Sequence, residues 1–286
     1  MKKTKLKLVF LMVIGVTVGL IISCKKDEDA PKKSVDAGND PNFKIVANAD
    51  AGLSSFNRKV EVFGIPIYAV PGVQDNKLLH AANVMAQYLD NDEDGEVDNS
   101  AVLGAMLKNK AFLVMWQKES DLNIEPPADR LGQDLGNDET NPGYVSAGNQ
   151  GEFDAALEEI WHIISHAGYA QAYPEVFGEG AGTVLSNAMD VARGGRFTTI
   201  PGSYPDKAWY TYDDATCEYD CQTTEYFYWA LTSLLGAQAN RASEIRDEWR
   251  LNTPEKLEQT DMSVFKLLTN PLYKLPKVLP DGSYRR

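Results

Sequence analysis

The chain has 286 residues, 43% hydrophobic and 24% charged, with 28 Lys and Arg against 41 Asp and Glu and a formal charge of −13. So acidic a chain, with no basic stripe, repels phosphate backbones, which argues against nucleic acid as a partner. The apolar fraction is that of a chain able to bury a core, and no internal repeat is visible.

Lys2, Lys3, Lys5 and Lys7 precede an apolar or weakly polar run from Leu8 to Ile22. A positive start before a run of this length is the pattern of a secretory signal peptide, and a spanning helix needs about 20 apolar residues. An uncleaved anchor is the alternative, and either way the rest of the chain is exported. Ile21-Ile22-Ser23-Cys24 resembles the lipobox of bacterial lipoproteins. The resemblance implies removal of residues 1–23, lipid on Cys24 and a membrane as partner in the cell envelope. The run Lys26-Asp27-Glu28-Asp29 resembles the signals that send some lipoproteins to the outer surface of Gram-negative cells, which implies the outer membrane. Losing residues 1–23 removes four lysines and no acid, so a charge of −13 becomes −17.

After Cys24, residues up to 42 hold no large apolar residue except Val35. Such a segment buries too little surface to offset its ordering entropy and reads as a flexible tether over 24–42. Residues 43–286 are expected to form a single globular domain. Within it, 59–70 is rich in β-branched and aromatic residues and reads as one or two strands, broken at Gly64 and Pro66. Leu78, Ala82, Met85 and Tyr88 share one face of a helix over 77–89. Ala101–Leu107 reads as a second short helix and 111–116 as a buried strand. The polar, Gly- and Pro-rich stretch 118–151 reads as a long loop of the kind that often carries function. Helices are expected over 153–166, 182–192 and 224–239, then a Pro-punctuated tail wrapping the surface. The fold class expected is α+β, predominantly helical, with a small N-terminal sheet.

Between the first two helices lies Asp90-Asn91-Asp92-Glu93-Asp94-Gly95-Glu96-Val97-Asp98. Alternate carboxylates about a Gly turn suit a hard cation that takes about six to eight oxygens. The segment 90–101 resembles an EF-hand calcium loop. The resemblance implies ligands from Asp90, Asp92, Asp94, the Glu96 carbonyl and Asp98. It departs at the twelfth position, Ala101, where an EF-hand has a bidentate Glu. The bland alternative is a solvated acidic turn.

Two of the three histidines, His162 and His166, lie in the helix over 153–166. Phe153, Ala156, Leu157, Ile160, Trp161, Ile163 and Ile164 occupy one side, while Glu158, Glu159, His162 and His166 fall within about 100° of arc on the other. Histidines at i and i+4 can share one cation. The pair resembles the zincin metallopeptidases, whose motif is His-Glu-x-x-His. Here Ile163 follows His162, so the usual base is absent, and Glu159 or Glu158 becomes a displaced base or a ligand. One zincin branch takes its third ligand from a Glu on a later helix, which implies Glu225 here. Asp190 and His80 are further candidates. The alternative without metal is a polar stripe with histidines bonded to Glu158 and Glu159.

Cys217 and Cys221 form an even pair in an oxidising compartment and are expected to join as a local disulfide. Aromatic residues crowd around them, at 209–214 and at 226–229. Tyr226–Trp229 reads as core, whereas 209–214 is either cover for it or a platform for a glycan or peptide. No Gly-x-Ser-x-Gly elbow or phosphate-cradling loop appears, so nucleophilic catalysis is the weaker enzyme option. The functional expectation is an extracytoplasmic, lipid-anchored, calcium-binding protein with a zinc-dependent, metallopeptidase-like site. The alternative is a non-catalytic, calcium-stabilised surface lipoprotein that binds a glycan or protein.

Overall fold

The computed structural model describes residues 42–122 and 128–285. The expected signal segment, Cys24 and the tether up to residue 41 lie outside the described residues. Asn42, assigned to the tether, is buried and donates its amide to the Tyr284 carbonyl at 2.6 Å.

The sheet begins with β1 (Val46–Ala47) and the hairpin of β2 (Arg58–Val62) and β3 (Ile65–Ala69). Phe63 and Gly64 close the hairpin with φ of 49° and 87°, the left-handed pair that a two-residue turn needs to match strand twist. The chain therefore breaks at Phe63-Gly64, while Pro66 lies inside β3. Pairing of β3 with its other neighbour starts only at Ile67, so the missing N–H of Pro66 removes no bond on that side.

Two helices, α1 (Asp75–Leu89) and α2 (Ser100–Lys108), lead to β4 (Phe112–Trp116), which pairs in parallel with β3. Then β5 (Gly132–Gly136) pairs in parallel with β4 and completes the order β1-β2-β3-β4-β5. This strand departs from the loop expected over 118–151. Gly-Gln-Asp-Leu-Gly has no β-branched residue, and it is extended because the buried β4 offers it a free edge.

The rest is helical. It comprises α3 (Ala156–Ile164), a π-helical turn (Ser165–Tyr169), α4 (Ala170–Ala172), α5 (Pro174–Phe177) and α6 (Val184–Ala192). After a long connection come α7 (Tyr219–Leu234), α8 (Ala242–Ile245), α9 (Pro254–Thr260) and α10 (Met262–Leu268). Thr253 and Asp261 cap α9 and α10 by accepting the amides of Lys256 and Val264, a start signal legible at each position. The class is α+β, predominantly helical, with the sheet in the N-terminal half.

The amphipathic pattern of α3 places the site. Its apolar side, Ala156, Leu157, Ile160, Trp161, Ile163 and Ile164, is buried. The helix packs against α1, the edge strand β5 and α7. The Trp161 ring meets those of Tyr88, Tyr169 and Phe227 at centroid distances of 5.4, 5.5 and 5.1 Å. Removing the Phe227 side chain from water alone contributes about 1.5–3 kcal/mol. The polar side of α3 is left facing the junction between β5 and α7.

Candidate metal centre

On α3, Glu158 and His162 stand one turn apart on the same face. Opposite them, α7 brings Glu225, which is 8% exposed. One ligand atom from each of Glu158, His162 and Glu225 lies within 4.8 Å of the others. His162 Nδ1 is 3.2 Å from Glu159 Oε2, and its Nε2 is 3.7 Å from Glu225 Oε2. With Nδ1–H donated to Glu159, Nε2 is the nitrogen left to bind a cation. It is buried and has no hydrogen-bond partner among the described residues. A gap of 3.7 Å is too long for a hydrogen bond. Two ligands on one tetrahedral zinc, each at about 2.0–2.2 Å, stand roughly 3.3–3.6 Å apart. The gap is therefore close to what a shared cation requires.

The surrounding contacts hold these groups in place. Gln133 of β5 donates to Glu159 Oε2 at 2.6 Å, and Tyr212 donates to Glu225 Oε1 at 3.1 Å. Both contacts to Glu159, from Gln133 and from His162, fall on Oε2. Burial raises the Glu159 carboxyl above the ordinary carboxylate range, against the pull of His162. Burial works against a charge on His162, but Glu225 and then Glu159 outweigh it and lift its pKa to about 9. Two carboxylates and an imidazole form a borderline-hard donor set that suits zinc and its divalent neighbours. The orphaned nitrogen, the spacing and the donor chemistry all fit such an ion.

His166 stands apart from this group. It lies in the π-helical turn Ser165–Tyr169 that follows α3. His166 Nδ1 instead meets Glu179 Oε1 and Oε2 at 2.8 and 2.9 Å, and Thr224 steadies Oε1 at 2.8 Å. Burial lowers the His166 pKa, but Glu179 more than offsets this and leaves it above the ordinary value. The structure thus brings together Glu158, His162 and Glu225 and leaves His166 with Glu179. The other third-ligand candidates are engaged elsewhere. His80 pairs with Asp154 at 2.6 Å, and Asp190 with Arg193 and Arg196 at 3.0 and 2.9 Å.

The acidic loop follows α1. Asp90 is fully buried, Asp92 and Asp94 are exposed, and one oxygen from each lies within 4.8 Å of the others. The loop's own amides meet them. Asp94 N and Gly95 N donate to Asp90 at 3.2 and 2.8 Å, and Glu96 N to Asp94 at 2.9 Å. Glu93 and Gly95 take φ of 56° and 91°, which bends the chain around the carboxylates. Asp98 accepts the Asn91 amide at 2.7 Å, its carbonyl accepts from Lys274 at 2.7 Å, and Tyr284 donates to Asp90. Burial raises the Asp90 carboxyl to about 6 and raises Asp98 as well. Ala101 is exposed on α2 and offers no carboxylate.

Cys217 and Cys221 are joined, with an S–S distance of 2.01 Å. Tyr226–Trp229 are buried, and so are Tyr210 and Tyr212. Trp209 is half-buried and donates to Asp261 at 2.8 Å. These rings therefore present no open platform.

Comparison with family models, curated proteins and solved structures finds no match for this chain. Sequence reasoning missed Gln133 and Tyr212 as supports of Glu159 and Glu225, and Glu179 as the partner of His166. None belongs to a local motif, and only the packing of β5 and the loops onto α3 and α7 makes them neighbours.

Proposed function

We propose that this is an extracytoplasmic, lipid-anchored, calcium-binding protein. Its Glu158–His162–Glu225 centre holds zinc and serves as a metal-dependent hydrolase site, metallopeptidase-like in arrangement. The observation that carries the reading is the buried Nε2 of His162, which has no hydrogen-bond partner among the described residues and faces Glu225 at 3.7 Å. Glu158-Glu159-Ile160-Trp161-His162 sets a ligand, an acid and a ligand at the spacing of His-Glu-x-x-His in the zincins. Glu158 stands where those enzymes have their first histidine.

In this reading Glu158, His162 and Glu225 hold the ion, which when bound supplies Lewis acidity toward water and a carbonyl oxygen. Glu159 orients His162 through Oε2 and accepts a proton from water at Oε1. Burial raises its pKa above the ordinary carboxylate value, the direction a general base requires. The loop after α1 holds calcium through Asp90, Asp92, Asp94, the Glu96 carbonyl and Asp98, and steadies the turn between α1 and α2.

One observation favours a second reading, a non-catalytic surface lipoprotein that binds a glycan or protein. His162 and Glu225 are only 6% and 8% exposed, which narrows access for a substrate. Elemental analysis of protein purified without chelator separates the two. One zinc per chain, lost in His162→Ala, is expected, along with peptide hydrolysis lost in Glu159→Gln while zinc is retained. No stoichiometric metal in the wild type, or the same metal content in His162→Ala, sinks the hydrolase reading.

A further inference from the structure

The parallel strands β4 and β5 end side by side, with Trp116 opposite Gly136. Residues two apart share a sheet face, so Asp134 lies on the face that carries Trp116, and the indole Nε1 donates to Asp134 Oδ2 at 2.8 Å. Gly136 gives the ring its room: a Cβ there would stand 2.8 Å from Trp116 Cη2 and 2.9 Å from Glu139 Oε1. Glu139 enters from the turn after β5, and its Oε1 accepts the Gly136 amide at 2.6 Å. An indole and two carboxylates thus gather at the end of β5, and all three side chains are partly exposed.

This group adjoins the metal centre. The Glu139 carbonyl accepts the Ala155 amide at 3.0 Å, and the Ala155 carbonyl accepts that of Glu158 at 3.0 Å. Gln133, beside Asp134 on β5, donates to Glu159. Burial raises the Asp134 carboxyl above the ordinary carboxylate range, while Trp116 and His162 pull it down. Burial raises Glu139 too, and the charges of Glu158, Asp134 and Asp138 add to the rise. Among the described residues no lysine or arginine forms an ion pair with Asp134 or Glu139, and Lys77, which reaches the same turn, donates to the Asn137 carbonyl. Crowded carboxylates without a cation of their own are relieved by one supplied from outside, and a neighbouring indole adds its attraction for an ammonium or guanidinium group.

We propose that Asp134 and Glu139, beside Trp116, form a subsite for a basic side chain, so that the centre takes peptides carrying arginine or lysine. That role in a substrate site rests on the hydrolase reading given above. The buried Nε2 of His162, with no hydrogen-bond partner among the described residues, is an independent sign that this acidic junction receives a ligand. Glu158 and Glu159, on the α3 side of the junction, extend the negative field that draws a cationic peptide toward it.

The test is a calorimetric titration of the whole chain carrying Glu159→Gln, which lacks the base and leaves the probe intact. The probes are the capped pentapeptide Gly-Gly-Arg-Gly-Gly and the same peptide with citrulline, the neutral isostere of arginine. The arginine peptide should bind about tenfold tighter, the worth of a charge-assisted hydrogen bond. Adding Asp134→Asn and Glu139→Gln together keeps both acceptors for Trp116 and Gly136, removes both charges, and should abolish the preference. Adding Glu175→Gln and Glu258→Gln instead, an equal loss of charge at exposed positions elsewhere, should leave it intact. No preference in the parent, a preference that survives the loss of the Asp134 and Glu139 charges, or one that vanishes in the distant pair would overturn the inference. Zinc content of the wild type tests the centre separately: a protein without zinc that still prefers the arginine peptide keeps the subsite and loses the hydrolase reading.

Discussion

In the loop after α1, amides of the same nine residues donate to Asp90, Asp94 and Asp98. On α3 the arrangement is reversed. Glu159 is met by Gln133 from a strand, Glu225 by Tyr212 from the segment before α7, and His162 Nε2 by no hydrogen-bond partner among the described residues, with Glu225 3.7 Å away. The first group is a local turn that shapes itself around its charges and keeps Asp92 and Asp94 in water. The second is a junction of three elements that buries its charges and relies on their packing. A site of the first kind survives damage elsewhere in the fold. One of the second kind depends on every contact that holds α3 against α7.

The sharpest way to break that contrast is Trp161→Ala. Emptying this fully buried ring site costs about 3–5 kcal/mol and should lower the melting temperature by roughly 10 °C or more. Zinc affinity should fall with it, because the cavity opens between α3 and α7, whereas calcium affinity should hold at temperatures where the protein stays folded. Calorimetric titration with each metal checks this, and a parallel loss of both would show that the two sites are not independent.

A smaller effect is expected at the loop. Calcium at a hundredfold excess over its Kd adds about 2.7 kcal/mol, several degrees of melting temperature, and a chelator should remove it. Asp92→Asn, on an exposed side chain, should shrink this shift and leave zinc content unchanged. An unchanged calcium shift in the variant would remove the loop as the source.

The smallest effect concerns His166. Its folded pKa lies above the unfolded value, so the pair with Glu179 stabilises fully below about 6.5, the ordinary histidine value. That stability is lost as pH rises through the elevated folded value. His166→Gln should therefore melt about 2–4 °C below the wild type at acid pH, and the gap should narrow in alkali. A gap that does not depend on pH would assign the loss to packing rather than charge.

How far the sequence could be read follows the same division. The helices over 75–89 and 184–192 and the strand at 112–116 announce themselves by periodicity and flanking signals. β5 does not, because its five residues become a strand only through β4. The His162–His166 pairing was the natural reading of regular helical spacing. His166 is instead engaged by Glu179, thirteen residues on, which no local spacing signals. Glu225 stood out in the sequence as a carboxylate in an otherwise apolar helix, yet its distance from His162 was invisible there.

By itself the sequence determined the α+β class, the amphipathic face of α3 and the acidic loop, since each depends on residues a few positions apart. Only the tertiary structure decided which carboxylates meet which histidine. Glu158, His162 and Glu225 form one group because α7 packs on α3, and packing between elements distant in sequence leaves no trace in local spacing.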